Sequence, residues 1–163
     1  MQHIRHATLS DIPLIRELCF KVWPQTYAPI LPRAKIDYML DLMYSAASLQ
    51  RQIDGGSEFI IAYNNKEPVG FAAYFESSPA VFKLDKIYIL PSEQGKGSGR
   101  FVIDYIIREI KNKGAAALQL QVNRNNDNAK KFYEKLGFGV IDSRDIDIGS
   151  GFFMNDYVME IKL

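Results

Sequence analysis

The sequence predicts an α/β chain of the α+β kind, with one central mixed, mostly antiparallel sheet and helices on both faces. Three observations carry this expectation. Apolar and β-branched runs arrive as hairpin pairs near both ends, at 59–63 with 69–75 and at 138–148 with 152–161. Between the pairs lies a single strand–helix–strand unit. No linker, repeat or low-complexity stretch breaks the 163 residues, so 1–163 reads as a single domain.

Taken in order, residues 2–7 form a short strand. Ser10 is placed to cap a helix over 11–22, with Pro13 accommodated in its first turn. The stretch 23–32 holds three prolines together with Trp23 and Tyr27, a composition that predicts a structured loop. A helix over 34–53 puts Ile36, Met39, Leu40, Met43, Ala46 and Ala47 on a buried stripe and stops at Gly55-Gly56. The strands at 59–63 and 69–75 are joined by Asn64-Asn65-Lys66-Glu67-Pro68, a turn by composition. Ile87-Tyr88-Ile89-Leu90 is a strand that runs into a glycine-dense turn. Val102, Tyr105, Ile106, Glu109 and Ile110 then recur at helical spacing, with Gly114 as the C-cap. Leu118-Gln119-Leu120-Gln121-Val122 alternates as a half-buried strand does. In the next helix Ala129, Phe132, Tyr133 and Leu136 share one face and Gly137 ends it. Gly149-Ser150-Gly151 separates the last two strands.

A composition of 47% hydrophobic and 24% charged residues is that of an ordinary globular chain. A formal net charge of +1 gives no electrostatic basis for a nucleic acid or an anionic membrane as partner. Cys19, the single cysteine, shares an apolar helix face with Ile12, Ile15 and Leu18 and reads as a buried structural thiol. No apolar run reaches the ~18 residues of a membrane span, and the N-terminus lacks a signal-peptide core, so the expected location is the cytoplasm. His3 and His6 have no Cys, Asp or Glu arranged around them as ligands, and no metal is expected.

The strand–turn–helix at 87–110 aims several unpaired backbone N–H groups at one point, with the positive end of the helix dipole behind them. That is a seat for a phosphate or pyrophosphate. A dinucleotide fingerprint starting at Gly95 would need a third glycine where Arg100 stands, and a P-loop would need Ser or Thr where Gly97 follows Gly95-Lys96. What remains is Gln94-x-x-Gly97-x-Gly99, followed downstream by Asn126-x-x-Ala129-x-x-Phe132-Tyr133-Glu134-Lys135-x-Gly137-Phe138. In this order and at this separation the two blocks resemble the paired signatures of the GNAT superfamily of N-acetyltransferases. They cover roughly residues 82–140.

The resemblance implies an acetyl-CoA-dependent N-acetyltransferase that acts by direct transfer in a ternary complex. It implies that Gln94, Gly95, Lys96, Gly97, Ser98, Gly99 and Arg100 hold the pyrophosphate. The backbone of Ile87, Tyr88 and Ile89 pairs with the pantetheine arm, and the Ile89 N–H polarises the thioester carbonyl. Asn126, and with less weight Asn128, match the asparagine that bonds the cofactor; helix capping is the alternative for both. Tyr133 matches the tyrosine that protonates the departing thiolate; a core aromatic is its alternative. The chain departs from the family at the general base. Many relatives carry a glutamate where this chain has Lys83, eleven residues before Gln94. Asp85, on the same strand face, is the candidate substitute; Glu76 and an ordered-water chain also stay open. For the acceptor, the resemblance points to the first third of the chain, with Trp23, Tyr27 and Tyr38, and to Tyr74; aromatics can embrace an ammonium, and anchoring of the proline-rich loop is the alternative. Trp23-Pro24-x-Thr26-Tyr27, Leu49-Gln50-Arg51-Gln52-Ile53 and Phe152-Phe153-Met154-x-Asp156-Tyr157-x-Met159 are similar to bacterial spermidine/spermine-type acetyltransferases. A small amine or polyamine is thus the favoured acceptor. A protein or peptide amine, or a non-catalytic acyl-CoA-binding sensor, are the alternatives. The acyl-chain preference and the oligomeric state, a homodimer included, stay open.

Overall fold

A computed structural model describes residues 1–163. In chain order the elements are β1 (Gln2–His6), α1 (Ile12–Tyr27), α2 (Arg33–Tyr44), α3 (Ala46–Asp54), β2 (Glu58–Asn64), β3 (Glu67–Ser78) and β4 (Val81–Ile89). They continue as α4 (Ser98–Lys111), β5 (Ala117–Asn123), α5 (Asp127–Lys135), β6 (Gly139–Gly149) and β7 (Phe152–Lys162). The seven strands make one sheet in the order β1-β2-β3-β4-β5-β7-β6. β4 and β5 run parallel, whereas β1–β2, β2–β3, β5–β7 and β6–β7 are antiparallel. This is the mixed, mostly antiparallel sheet that the hairpin spacing predicts. No helix is long and apolar enough to cross a membrane. The chain divides into two compact units, one of Met1–Phe75 with Lys86–Ile106, the other of Glu76–Asp85 with Ile107–Leu163.

The first unit differs from the sequence expectation at its helices. Ser10 does not cap the first helix: a short 3-10 turn at Leu9–Asp11 precedes α1, and the Asp11 carboxylate accepts from the Thr8 N–H at 2.8 Å. α1 runs on to Tyr27 through Pro24, so Trp23 to Tyr27 is helix rather than loop. Pro24 sits close enough to the C-terminus that only one turn follows it, and its carbonyl still accepts from the Ala28 N–H at 3.0 Å. The single helix expected over 34–53 is two helices broken at Ser45. With φ −64° and ψ 154° Ser45 is extended, and its hydroxyl caps α3 by accepting from the Ser48 N–H at 3.2 Å. The Gln52 amide donates to the Met43 carbonyl at 2.8 Å, satisfying an acceptor that the break leaves over. Ile15, Leu18, Cys19 and Val22 of α1 are buried, as are Ile36, Leu40 and Tyr44 of α2 and Phe59, Ile61, Phe71 and Tyr74 of β2 and β3.

Gly70 sets how β3 meets β4 within this unit. A Cβ there would stand 2.5 Å from the Tyr88 carbonyl oxygen and 2.7 Å from Ile89 Cδ1, closer than any side chain allows. Gly70→Ala is therefore expected to destabilise the protein by about 1–3 kcal/mol. Thermal unfolding checks this; an unchanged midpoint would show that the two strands part without cost.

In the second unit the parallel ladder between β4 and β5 runs from Val81↔Ala117 to Leu84↔Leu120, so it covers only the first four residues of β4. β7 pairs with β5 on one side and β6 on the other, and the turn at Gly149-Ser150-Gly151 takes three successive positive φ angles of 95°, 53° and 79°. Gly114 and Gly137, with φ of 82° and 103°, end α4 and α5 as the sequence predicts. Leu118, Leu120, Val122, Tyr133, Phe138, Val158 and Met159 are buried.

Candidate functional site

In the first unit, β4 leads directly into the glycine turn. The Leu90 N–H donates to the Val69 carbonyl at 2.8 Å, fixing the strand's end on β3. A 3-10 turn at Pro91–Glu93 follows, and the Gln94 amide reaches back to donate to the Ile89 carbonyl at 3.2 Å. Gly95 and Gly97 take φ of 79° and 80°, a region in which a Cβ is strained, and nothing lies within 4 Å of where a Cβ would be. The backbone is thus both open and turned as a phosphate cradle requires. α4 begins at Ser98, and the Phe101 N–H donates to the Gly97 carbonyl at 3.0 Å as the helix starts. The amides of Ser98, Gly99 and Arg100 precede the first bond of the helical ladder and are the donors that a helix N-terminus leaves over. Lys96 and Arg100 are exposed, loosely held by Glu93 at 3.8 Å and Asp104 at 3.8 Å. Gly99 lies within the first turn of α4. The residues present fit a pyrophosphate.

The same unit gathers an aromatic group around the Tyr88 side chain. Trp23 stands 4.5 Å from Tyr27, 5.5 Å from Tyr44 and 5.8 Å from Tyr88 between ring centroids, and Phe71 stands 5.7 Å from Tyr88. The hydroxyls of Tyr27 and Tyr88 are 3.5 Å apart. Burial, with Tyr27 and Tyr44 close by, pushes the Tyr88 phenol well above its ordinary value. Lys86 is buried and places its ammonium 5.1 Å above the Tyr44 ring. Trp23 is only 2% exposed and its Nε1 has no hydrogen-bond partner, whereas Tyr27 and Tyr88 are partly exposed. Of the four aromatics that the sequence singles out, the structure brings Trp23 and Tyr27 together. Tyr38 lies half-buried on α2 and Tyr74 is fully buried on β3. Burial pushes the Cys19 thiol up to about 12, against the opposing influence of Lys86 and Arg16, so it is not poised as a thiolate.

In the second unit, Asp85 lies on the same face as Lys83, whose ammonium is 3.7 Å from the Asp85 carboxylate. Glu76 accepts from the Ala80 N–H at 3.4 Å, in the turn before β4. Asn126 caps α5, its Oδ1 accepting from the Ala129 N–H at 3.3 Å, and Asn128 is exposed in the first turn. The turn carrying Asn126 is braced by Arg124, whose guanidinium donates to the Ser143 hydroxyl at 2.9 Å and pairs with Asp145. Tyr133 is 9% exposed; its ring meets Phe132 at 5.3 Å and Phe138 at 5.8 Å, both edge-on.

Sequence reasoning missed Tyr44 and Lys86 as members of the aromatic group, and it used Tyr88 only for its backbone. The helical spacing of Tyr44 from Leu40 was a usable signal; for Lys86 the flanking apolar strand gave none.

The family described as Acetyltransferase (GNAT) domain matches residues 32–159. An uncharacterised N-acetyltransferase of Mycobacterium bovis is 25% identical over 95% of this chain and 99% of its own length. A spermidine N(1)-acetyltransferase of Thermoplasma acidophilum is 26% identical over 98% of this chain and 96% of its own. Among solved structures, a PaiA N-acetyltransferase from Thermoplasma acidophilum in complex with coenzyme A superposes with a TM-score of 0.85 at 25% identity, over 100% of this chain and 99% of that one.

Proposed function

The chain belongs to the GNAT acetyltransferase family, and on that premise we propose that it moves the acetyl group of acetyl-CoA directly onto the primary amine of a small molecule, polyamines included. The observation that carries the proposal is the continuity of β4 with the open glycine turn: a strand that outruns its parallel ladder at Leu84 delivers its last residues straight to the N-terminus of α4. In this reading the backbone of Ile87 to Ile89 receives the pantetheine arm as an added strand would. The amides of Gln94 to Arg100 receive the pyrophosphate, with Lys96 and Arg100 adding positive charge. Asn126 and Asn128 contribute polar contacts to the cofactor. The Ile89 N–H stabilises charge on the carbonyl oxygen as the amine nitrogen bonds to the carbonyl carbon and the C–S bond breaks. The Tyr133 hydroxyl gives its proton to the departing thiolate. The amine's proton leaves through Asp85 or through water. Tyr27 and Tyr38, both partly exposed, serve the acceptor, whereas Trp23 and Tyr74 are buried and pack instead of touching it; the acceptor is favoured to be small because of the full-length likeness to a spermidine acetyltransferase. All of this is the work of one domain, 1–163.

The test is a panel of monoamines, diamines, polyamines and N-terminal peptides, assayed for release of the CoA thiol. Release with small amines is the expected result. Release with peptides alone would move the acceptor to a protein. A protein that binds acetyl-CoA but releases no thiol with any amine would be a sensor and not an enzyme.

A further inference from the structure

The cofactor turn is tied to a part of the chain that takes no part in it by sequence. The Gln2 amide, on β1, donates to the Ser98 hydroxyl at 2.8 Å. Ser98 is the first residue of α4 and is 3% exposed, and Gln2 is half-buried, so this bond is partly shielded from water. At the other end of the turn, the Asn64 amide on β2 reaches Glu93 at 3.5 Å, and Asn64 is the register partner of Gln2. One cross-strand pair therefore holds the turn at both ends. An oxygen that accepts from an amide directs its own proton away from that donor, so Gln2 also fixes which way the Ser98 hydroxyl points.

We propose that Gln2 is a positioning residue for the pyrophosphate turn, acting through Ser98 to hold the first amides of α4 in their anion-binding arrangement before acetyl-CoA arrives. The inference rests on the proposed reading of this turn as the seat of the pyrophosphate. Its physical basis is preorganisation. Gly95 and Gly97 make the turn open but also give it more conformational freedom than any other residues would, and that freedom is lost on binding. A part-buried hydrogen bond at Ser98 removes part of that freedom in advance.

The experiment uses two acyl donors, acetyl-CoA and acetyl-pantetheine, which share the thioester and the pantetheine arm, only acetyl-CoA carrying the pyrophosphate and its 3′-phosphoadenosine. Gln2→Met keeps the length and removes the donor. With a responsive amine, its KM for acetyl-CoA is expected to rise about three- to tenfold, the equivalent of one ordinary hydrogen bond. Its kcat, its KM for the amine and its turnover of acetyl-pantetheine stay at the parent's values. Because Gln2 acts through Ser98, Gln2→Met combined with Ser98→Ala should be no worse than Ser98→Ala alone. Calorimetric titration of CoA gives the same comparison without turnover, and also serves if Gln2→Met folds poorly and only Gln2→Glu is recovered; that variant should bind CoA still more weakly. Equal losses with both donors, additive effects in the double variant, or unchanged CoA affinity would overturn the role of Gln2 and leave the turn's function standing. A parent protein that binds no CoA in the same titration would overturn both.

Discussion

Gly97→Val is expected to lose about two orders of magnitude in acetyl-CoA affinity while keeping its fold. Gly97 sits at φ 80°, where a β-branched residue is strained, and no atom lies within 4 Å of its built Cβ. The branches of valine would thus meet no protein; they would fill the space from which phosphate oxygens approach the amides. Losing two charge-assisted hydrogen bonds of about 1.5 kcal/mol each gives that order of effect. A matched control separates strain from occupancy. Gly114, at φ 82° and equally open, ends α4 away from the turn, so Gly114→Val carries a similar backbone cost and should leave CoA affinity alone. Calorimetry decides, and equal losses in the two variants would remove the turn from the cofactor site.

Tyr133→Phe is the second large effect: kcat should fall by about 10²–10⁴ with acetyl-CoA affinity little changed. The edge-on contacts of the ring with Phe132 at 5.3 Å and Phe138 at 5.8 Å belong to the ring alone, so phenylalanine preserves them and removes only the hydroxyl. Near-parental turnover, with chemistry shown to be rate-limiting, would leave Tyr133 a packing residue.

The sequence made the sheet legible and the helical third only partly so. Strands announced themselves through apolar runs, short alternations and glycine turns, all local signals, whereas the register shifts at Ala62/Tyr63, Val140/Asp142 and Asp147/Gly149 did not. The break at Ser45 did not announce itself, because Met43, Ala46 and Ala47 keep helical spacing across it; a serine capping forward to Ser48 looks the same in sequence as a serine on a helix face. Pro24 misled in the other direction: α1 runs through it to Tyr27, although a proline has no N–H to give the helical ladder. Within the site, the backbone turn was readable because glycine is nearly the only residue that serves there. The side-chain partners were not. The Gln2–Ser98 bond joins residues that nothing in the linear order connects, and the capping role of Asn126 and its proposed cofactor role make the same demand on the sequence.

Trp23, the single tryptophan of the chain, is almost wholly buried beside Tyr27, Tyr44 and Tyr88. It is a built-in optical probe confined to the first compact unit. Its emission should lie at short wavelength in the native protein, fed by energy transfer from the neighbouring tyrosines, and should shift to the red only when that unit opens. Far-ultraviolet dichroism averages over both units. Superimposable denaturation curves from the two signals would mean that the chain unfolds as one cooperative body, and a lag between them would reveal which unit yields first. This buried aromatic group thus makes the chain's cooperativity measurable without a label.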